Sequence, residues 1–350
     1  MAGRKKDRYA EAGVDIDAGN QFVSRIKPLV AKTFKPEVVT GLGGFAGLFS
    51  LNLTRFKNPV LLASTDGVGT KLKIAFMMDV HHTVGIDLVA MSANDIIVQG
   101  AAPLFMLDYL ATGKLDVGKS VKIIQGIVAG CREAECSLIG GETAEMPDFY
   151  PEGEYDLAGF VVGMADKDHI IDGSSVKAGH QLIGIGSSGL HSNGYSLARR
   201  IVFGDLKMSV SDHVEEFGRT LGEELLEPTK IYVKMVKHLM QDFRIHGMAH
   251  ITGGGLTDNV PRMIPERCQA VMDTSSWTPP AIFKYLQRVG KLSFKEMMRT
   301  FNNGIGLVVA VGKEDTEEIL SRLRAMGESA FHVGEVRPRG KSKEPVRFVS

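Results

Sequence analysis

The sequence predicts an α/β chain, of the α+β type, in two domains. Three observations carry this. Short apolar runs of strand length alternate with segments whose apolar residues recur at helical spacing. The 40 glycines, about 11% of 350 residues, gather where those runs end and form no low-complexity tract. Residues 165–177 are polar and broken by Gly173-Ser174-Ser175, which reads as a linker between an N-terminal domain, 1–168, and a C-terminal domain, 169–345. The chain is long enough for each domain to bury its own core.

Residues 59–63 (Pro-Val-Leu-Leu-Ala) are unbroken in apolar character and read as a buried strand. Leu88, Val89, Ile96 and Ile97 suit a helix, with Asn94-Asp95 as a polar pair on its edge. Residues 104–110 read as a strand. Asp116 is the next helix N-cap, because a short carboxylate there can accept from free backbone N–H groups. Val117, Val121, Ile124, Val128 and Cys131 follow at helical period. Residues 137–139 form a short strand that ends at Gly140-Gly141-Glu142, and 156–164 form another. In the second half 180–186 are a strand and 195–203 a helix. Ile231, Met235, His238 and Leu239 mark one face of a helix after Glu227-Pro228-Thr229. Residues 304–311 and 331–336 are late strands, and the last ten residues read as a tail.

Lys plus Arg and Asp plus Glu both total 41, so the formal net charge is zero. No global field draws in nucleic acid or an anionic membrane, and no apolar run reaches membrane-spanning length. The first eight residues are basic and polar, and lack the apolar centre of a signal peptide. Cys131, Cys136 and Cys268 match no zinc spacing, so a reducing cytoplasm fits, with Cys131 filling core.

The most telling stretch is Ser64-Thr65-Asp66-Gly67-Val68-Gly69-Thr70-Lys71, at the end of the first strand. Glycines there let backbone N–H groups approach an anion. Lys71 supplies a point charge for phosphate, and Asp66 can hold a hard cation such as Mg²⁺. Taken alone the stretch equally suits an ordinary turn. Asp95 and Glu142 add hard oxygen donors, the kind that hold Mg²⁺ across phosphate oxygens. Asp108 is a carboxylate inside an apolar strand, where it needs a partner or a cation. Gly41-Leu-Gly43-Gly44-Phe-Ala-Gly47 is either a nucleotide loop or a connector. Gly184-Ile-Gly186-Ser-Ser-Gly189 fits the dinucleotide pattern, with Asp205 at the acid's spacing, but Leu190-His191-Ser192-Asn193-Gly194 delays the helix that pattern requires. His191 and Asn193 offer hydrogen bonds to a polar ligand, and Gly253-Gly254-Gly255 could take a phosphomonoester or form a turn.

Together these segments resemble the phosphoribosylformylglycinamidine cyclo-ligases, or aminoimidazole ribonucleotide synthetases, of purine biosynthesis. The resemblance runs in order from the motif at 9–20 through 41–45, 64–71, Asn94-Asp95, 98–100, 107–109, 140–147, 188–196 and 250–256 to Phe301-Asn302. It implies that ATP phosphorylates the formyl oxygen of formylglycinamidine ribonucleotide. The ribose-bearing nitrogen then attacks the formyl carbon and phosphate leaves. It also implies a homodimer whose N-terminal sheets pair into a barrel, and a C-terminal mixed sheet flanked by helices.

Carried onto this chain, the resemblance makes Asp66, Asp95 and Glu142 the Mg²⁺ ligands. Gly41, Gly43, Gly44, Thr65, Gly67, Gly69, Thr70, Lys71, Gly140, Gly141 and Thr143 would hold ATP. Ser188, His191, Ser192, Asn193, Gly253, Gly254 and Gly255 would face the ribonucleotide, with Asp66, Lys71, Asp95 and His191 catalytic. Either Lys27 or Lys71 would reach the γ-phosphate. Related enzymes of the same fold are set apart by sequence. No cysteine precedes Cys131, unlike selenophosphate synthetases. Loop 41–47 lacks the paired aspartates of thiamine-monophosphate kinases. An NAD(P) dehydrogenase using 184–189 and a nucleotide-sensing scaffold are the competing readings.

Overall fold

The computed structural model describes Arg8 and residues 12–350, the Arg55 side chain excepted. The basic stretch at 1–8 and the start of the 9–20 motif therefore lie, Arg8 apart, outside the described residues. Asp15 caps helix α1 (Ile16–Val30) by accepting from the Ala18 N–H, and α1 turns Phe22, Ile26 and Val30 inward.

The first sheet holds β1 (Pro59–Gly67), β2 (Ala102–Thr112), β3 (Ser137–Glu145) and β4 (Tyr155–Asp166), in the order β1-β4-β2-β3. Only β2 and β3 run parallel, and they are joined by a crossover helix. Helices α2 (Leu72–Met78), α3 (His82–Ile97) and α4 (Val117–Glu133) belong to this half. Asp116 caps α4 as expected, accepting from the Lys119 N–H at 2.9 Å. Cys131 is fully buried. Strand β1 alternates: its even positions are half-buried towards α3, and its odd positions face out. The outer face is apolar and open, with Leu61 56%, Tyr109 40% and Phe160 40% exposed.

Helices α3 and α4 cross at two glycines. A Cβ on Gly126 would overlap the His82 carbonyl oxygen, and one on Gly85 the Ile123 carbonyl. Gly126→Ala must therefore push backbones apart, and is expected to cost about 1–3 kcal/mol. Thermal denaturation checks this; an unchanged Tm would mean the helices have room to part.

The second sheet is built from β5 (Gln181–Gly186), β8 (Ile245–His250), β9 (Cys268–Asp273), β10 (Ile305–Val311), β11 (Ala330–Pro338) and β12 (Val346–Val349), in the order β12-β9-β11-β5-β10-β8. A small hairpin, β6 (His213–Val214) with β7 (Arg219–Thr220), stands apart. Around them lie α5 (Tyr195–Arg199), α6 (Leu221–Leu225), α7 (Val233–Asp242), α8 (Gly255–Asn259), α9 (Ala281–Val289), α10 (Phe294–Thr300) and α11 (Thr316–Ala325). Central strands β5 and β10 are buried at every position. Ile183 and Ile185 face one core; Leu182, Val308 and Ala310 face another with Leu256 and Trp277.

Four expectations need correction. The tail is a strand: β12 pairs parallel with β9. Strand β1 runs on to Gly67, and β3 to Glu145, so Asp66 and Gly140-Gly141-Glu142 sit within strands and not beyond their ends. The helix at 195–203 widens part-way, giving α5 and then a π-helical stretch over Arg200–Asp205. Asn94 is buried, not on a helix edge. No helix among the described residues is long and apolar enough to cross a membrane.

Candidate active site

The two halves meet over a buried ion pair. Lys71 and Asp87 are both fully buried, with Lys71 Nζ 2.8 Å from Asp87 Oδ1. The ammonium also donates to the carbonyls of His191 (3.0 Å) and Glu227 (2.6 Å). The same Asp87 oxygen accepts from the Thr229 N–H (2.7 Å) and hydroxyl (2.6 Å). All three ammonium protons are thus used in tying β1's following turn and α3 to the second half. Burial lowers the Lys71 pKa, and Asp87 opposes that shift. This corrects the expectation of a phosphate-binding Lys71: the side chain is enclosed and saturated.

Beside this pin, Asp66 and Asp95 face each other. Asp66 Oδ1 accepts from the Gly67 N–H at 2.7 Å. Asp95 Oδ1 lies 2.9 Å from His250 Nδ1, which β8 delivers from the other half. Burial raises the Asp66 pKa first of all, and the Asp95 charge raises it further. Each carboxylate keeps a second oxygen for a ligand. A pair of this kind, destabilised by mutual repulsion and unpaired with Lys or Arg, suits a divalent cation that takes few protein oxygens. A cavity of about 480 Å³ opens alongside, lined by Ser64, Asp95, Gln99, His250, Asn259 and Arg262.

Glu142 does not join them within one chain. In register, Asp66 stands opposite Gly159, Gly159 opposite Asp108, and Asp108 opposite Gly141. Three strand spacings separate β1 from β3, about 14 Å. Among the described residues no three His, Cys, Asp or Glu side chains converge as a metal site. Within one chain the expected three carboxylates therefore come together only as a pair, Asp66 with Asp95.

The loop at 187–194 closes over the pin. Thr70 Oγ1 lies 3.2 Å from Ser196 Oγ. Ser188 Oγ donates to the Pro228 carbonyl, and Ser192 Oγ is 3.0 Å from Thr229 Oγ1. His191 is fully buried; its Nε2 accepts from the Ser188 N–H at 3.2 Å, and its Nδ1 has no partner among the described residues. Burial drives its pKa well down, so the ring is neutral. That corrects the expectation of a ligand-facing catalytic His191. Asn193 stays half-buried, its Oδ1 3.5 Å from where a Gly253 Cβ would sit. Asn259 Nδ2 pins the glycine loop by donating to the Thr252, Gly253 and Gly255 carbonyls. Gly254 and Gly255 have φ of +96° and +58°, and a Cβ on Gly255 would strike the Met298 carbonyl.

The remaining expected ATP residues lie at the other edge of the first sheet. Gly41, Gly43, Gly44, Gly140, Gly141 and Thr143 line a cavity of about 770 Å³. Lys27 lays its ammonium 3.2 Å from the place a Gly43 side chain would start. Thr65 belongs to neither group: it is exposed on the outer face, its hydroxyl donating to the Gly159 carbonyl.

Known proteins fit this architecture. The AIR synthase related protein N-terminal domain matches residues 50–165, and its C-terminal domain matches 177–347. A phosphoribosylformylglycinamidine cyclo-ligase of Trichlorobacter lovleyi is 61% identical over 335 residues, 96% of each chain. The chain belongs to the phosphoribosylformylglycinamidine cyclo-ligase family. Another member, from Geobacter metallireducens, is 57% identical over 99% of this chain and 100% of its own. Two solved structures share the fold. Thiamine-monophosphate kinase from Stenotrophomonas maltophilia has a TM-score of 0.70 at 16% identity, covering 92% of this chain and 95% of its own. Hydrogenase maturation protein HypE in complex with ATP has a TM-score of 0.68 at 16% identity, covering 97% and 93%.

Two residues at this site escape sequence reading. His250 sits in a quoted motif, but nothing local announces its bond to Asp95. Asp87 lies in an apolar helix, and its partners come from positions 71 and 229.

Proposed function

We propose that the chain closes formylglycinamidine ribonucleotide to aminoimidazole ribonucleotide, using ATP and releasing ADP and phosphate, in purine biosynthesis. The observation that carries this is 61% identity over 96% of the chain to a relative named for that activity. An amide oxygen leaves poorly, and transfer of the γ-phosphoryl group to it makes phosphate the leaving group. The ribose-bearing nitrogen then attacks the formyl carbon, loses its proton, and phosphate departs with the oxygen. The protein's share is positioning and charge neutralisation.

In this reading Asp66 and Asp95 hold Mg²⁺, which would neutralise the phosphate oxygens of ATP. His250 fixes the Asp95 carboxylate from behind, and Asn193 with the 252–255 loop orients the ribonucleotide. Lys27, beside the 41–47 loop, takes the phosphate role that Lys71 is placed too deep to fill. Three buried, unpaired cysteines suit a cytoplasmic enzyme.

The open apolar face of the first sheet supports a homodimer in which two such sheets close a barrel. Closure would cover Leu61, Tyr109 and Phe160 and remove both exposed edges. It would also set β3 of one protomer beside β1 of the other, so that Asp66 gains the partner subunit's Glu142. Phe160→Glu is expected to give a folded monomer in sedimentation where the native chain gives a dimer. A dimer unchanged by that charge would place the interface elsewhere.

A coupled assay for ADP release, with and without formylglycinamidine ribonucleotide, tests the activity. Release that requires the ribonucleotide is expected; ADP formed at the same rate without it would remove the reading.

A further inference from the structure

Asp108 is a half-buried acid that the chemistry above leaves unused. It lies mid-strand in β2, between Met106 and Leu110, both buried on its own face. Among the described residues no side chain hydrogen-bonds or ion-pairs with its carboxyl. Burial pushes that carboxyl up to about 7. Asp15, Glu142 and Glu145 line the same cavity, and the Cys131 thiol on α4 lies close enough to feel its charge. A carboxyl without a side-chain partner in such a place costs stability, yet the sheet makes room for it. Gly141 stands opposite on β3, and a Cβ there would collide with the Asp108 carboxyl.

The carboxyl looks into the cavity under loop 41–47, whose volume of about 770 Å³ is of nucleotide size. Phe22, Ile26, Leu115, Ile124 and Leu138 give that cavity apolar walls. Such a space suits a flat heterocycle, with one polar group to orient it.

We propose that Asp108 reads the purine base of ATP: a carboxyl oxygen accepts a hydrogen bond from the exocyclic amino group of adenine while the ring lies between the apolar walls. The inference rests on the reading that the chain uses ATP. A carboxyl oxygen accepts in either protonation state. When the carboxyl is ionised, a base with a carbonyl at that position sets two acceptors face to face, and an enclosed site rejects such a mismatch strongly.

The test is equilibrium binding of ATP and of inosine triphosphate, which carries the carbonyl, to the native chain, Asp108→Asn and Asp108→Leu. The native chain is expected to bind ATP at least about tenfold more tightly than inosine triphosphate. Asp108→Asn, whose carboxamide both donates and accepts, should lose most of that preference. Asp108→Leu, close in volume and suited to apolar walls, should bind both nucleotides alike. No preference in the native chain, or a preference that survives in Asp108→Leu, would overturn the proposal. Substrate-dependent ADP release by the native chain, measured alongside, separates failure of base reading from failure of the ATP-using activity itself.

Discussion

Lys71→Met is expected to destabilise the folded chain by about 3–5 kcal/mol, because it strands a buried Asp87 carboxylate without its cation. Neither side chain is accessible, and the ammonium also holds the His191 and Glu227 carbonyls. The loss should appear as a Tm far below the native value and a lower denaturant midpoint. Adding Asp87→Asn should restore much of it, since the uncompensated charge is then gone while an oxygen remains for Thr229. A phosphate-binding Lys71 predicts the reverse pattern. Lys71→Met would then melt like the native chain and show only weakened ATP use.

Asp66→Asn is expected to leave the fold intact and lower turnover about 10²–10³-fold, the scale of losing one preorganised contact to developing charge. Its effect on stability has a definite sign. The folded pKa of Asp66 is raised, by burial and by Asp95. Above both its folded and unfolded pKa, ionisation therefore opposes folding, and that opposition fades as pH falls. The asparagine variant should melt no lower than the native chain at pH 7. Unchanged turnover would show that this carboxylate touches nothing that reacts.

The fold was legible where the signal is local. Asp116 followed by apolar residues at helical period announced α4, because the cap and the buried stripe both lie within one segment. Strand β12 was not legible: Val346–Val349 follows a polar, charged stretch, and its strand character comes from pairing with β9, more than seventy residues earlier. The site divided in the same way. Asp66 and Asp95 were recognisable as hard donors at motif positions. Lys71 misled because its own neighbours look like a phosphate loop, while the groups that enclose it come from positions 87, 191 and 227. Glu142 reads as a third ligand in the sequence, but register places it across the sheet from Asp66 of its own chain.

A crystal of the native chain soaked with Mn²⁺ and a non-hydrolysable ATP analogue tests the arrangement most directly. Anomalous density is expected between Asp66 and Asp95, within bonding distance of both carboxylates and of phosphate oxygens. A cation bound to the nucleotide elsewhere, with Asp66 and Asp95 left facing solvent alone, would contradict it.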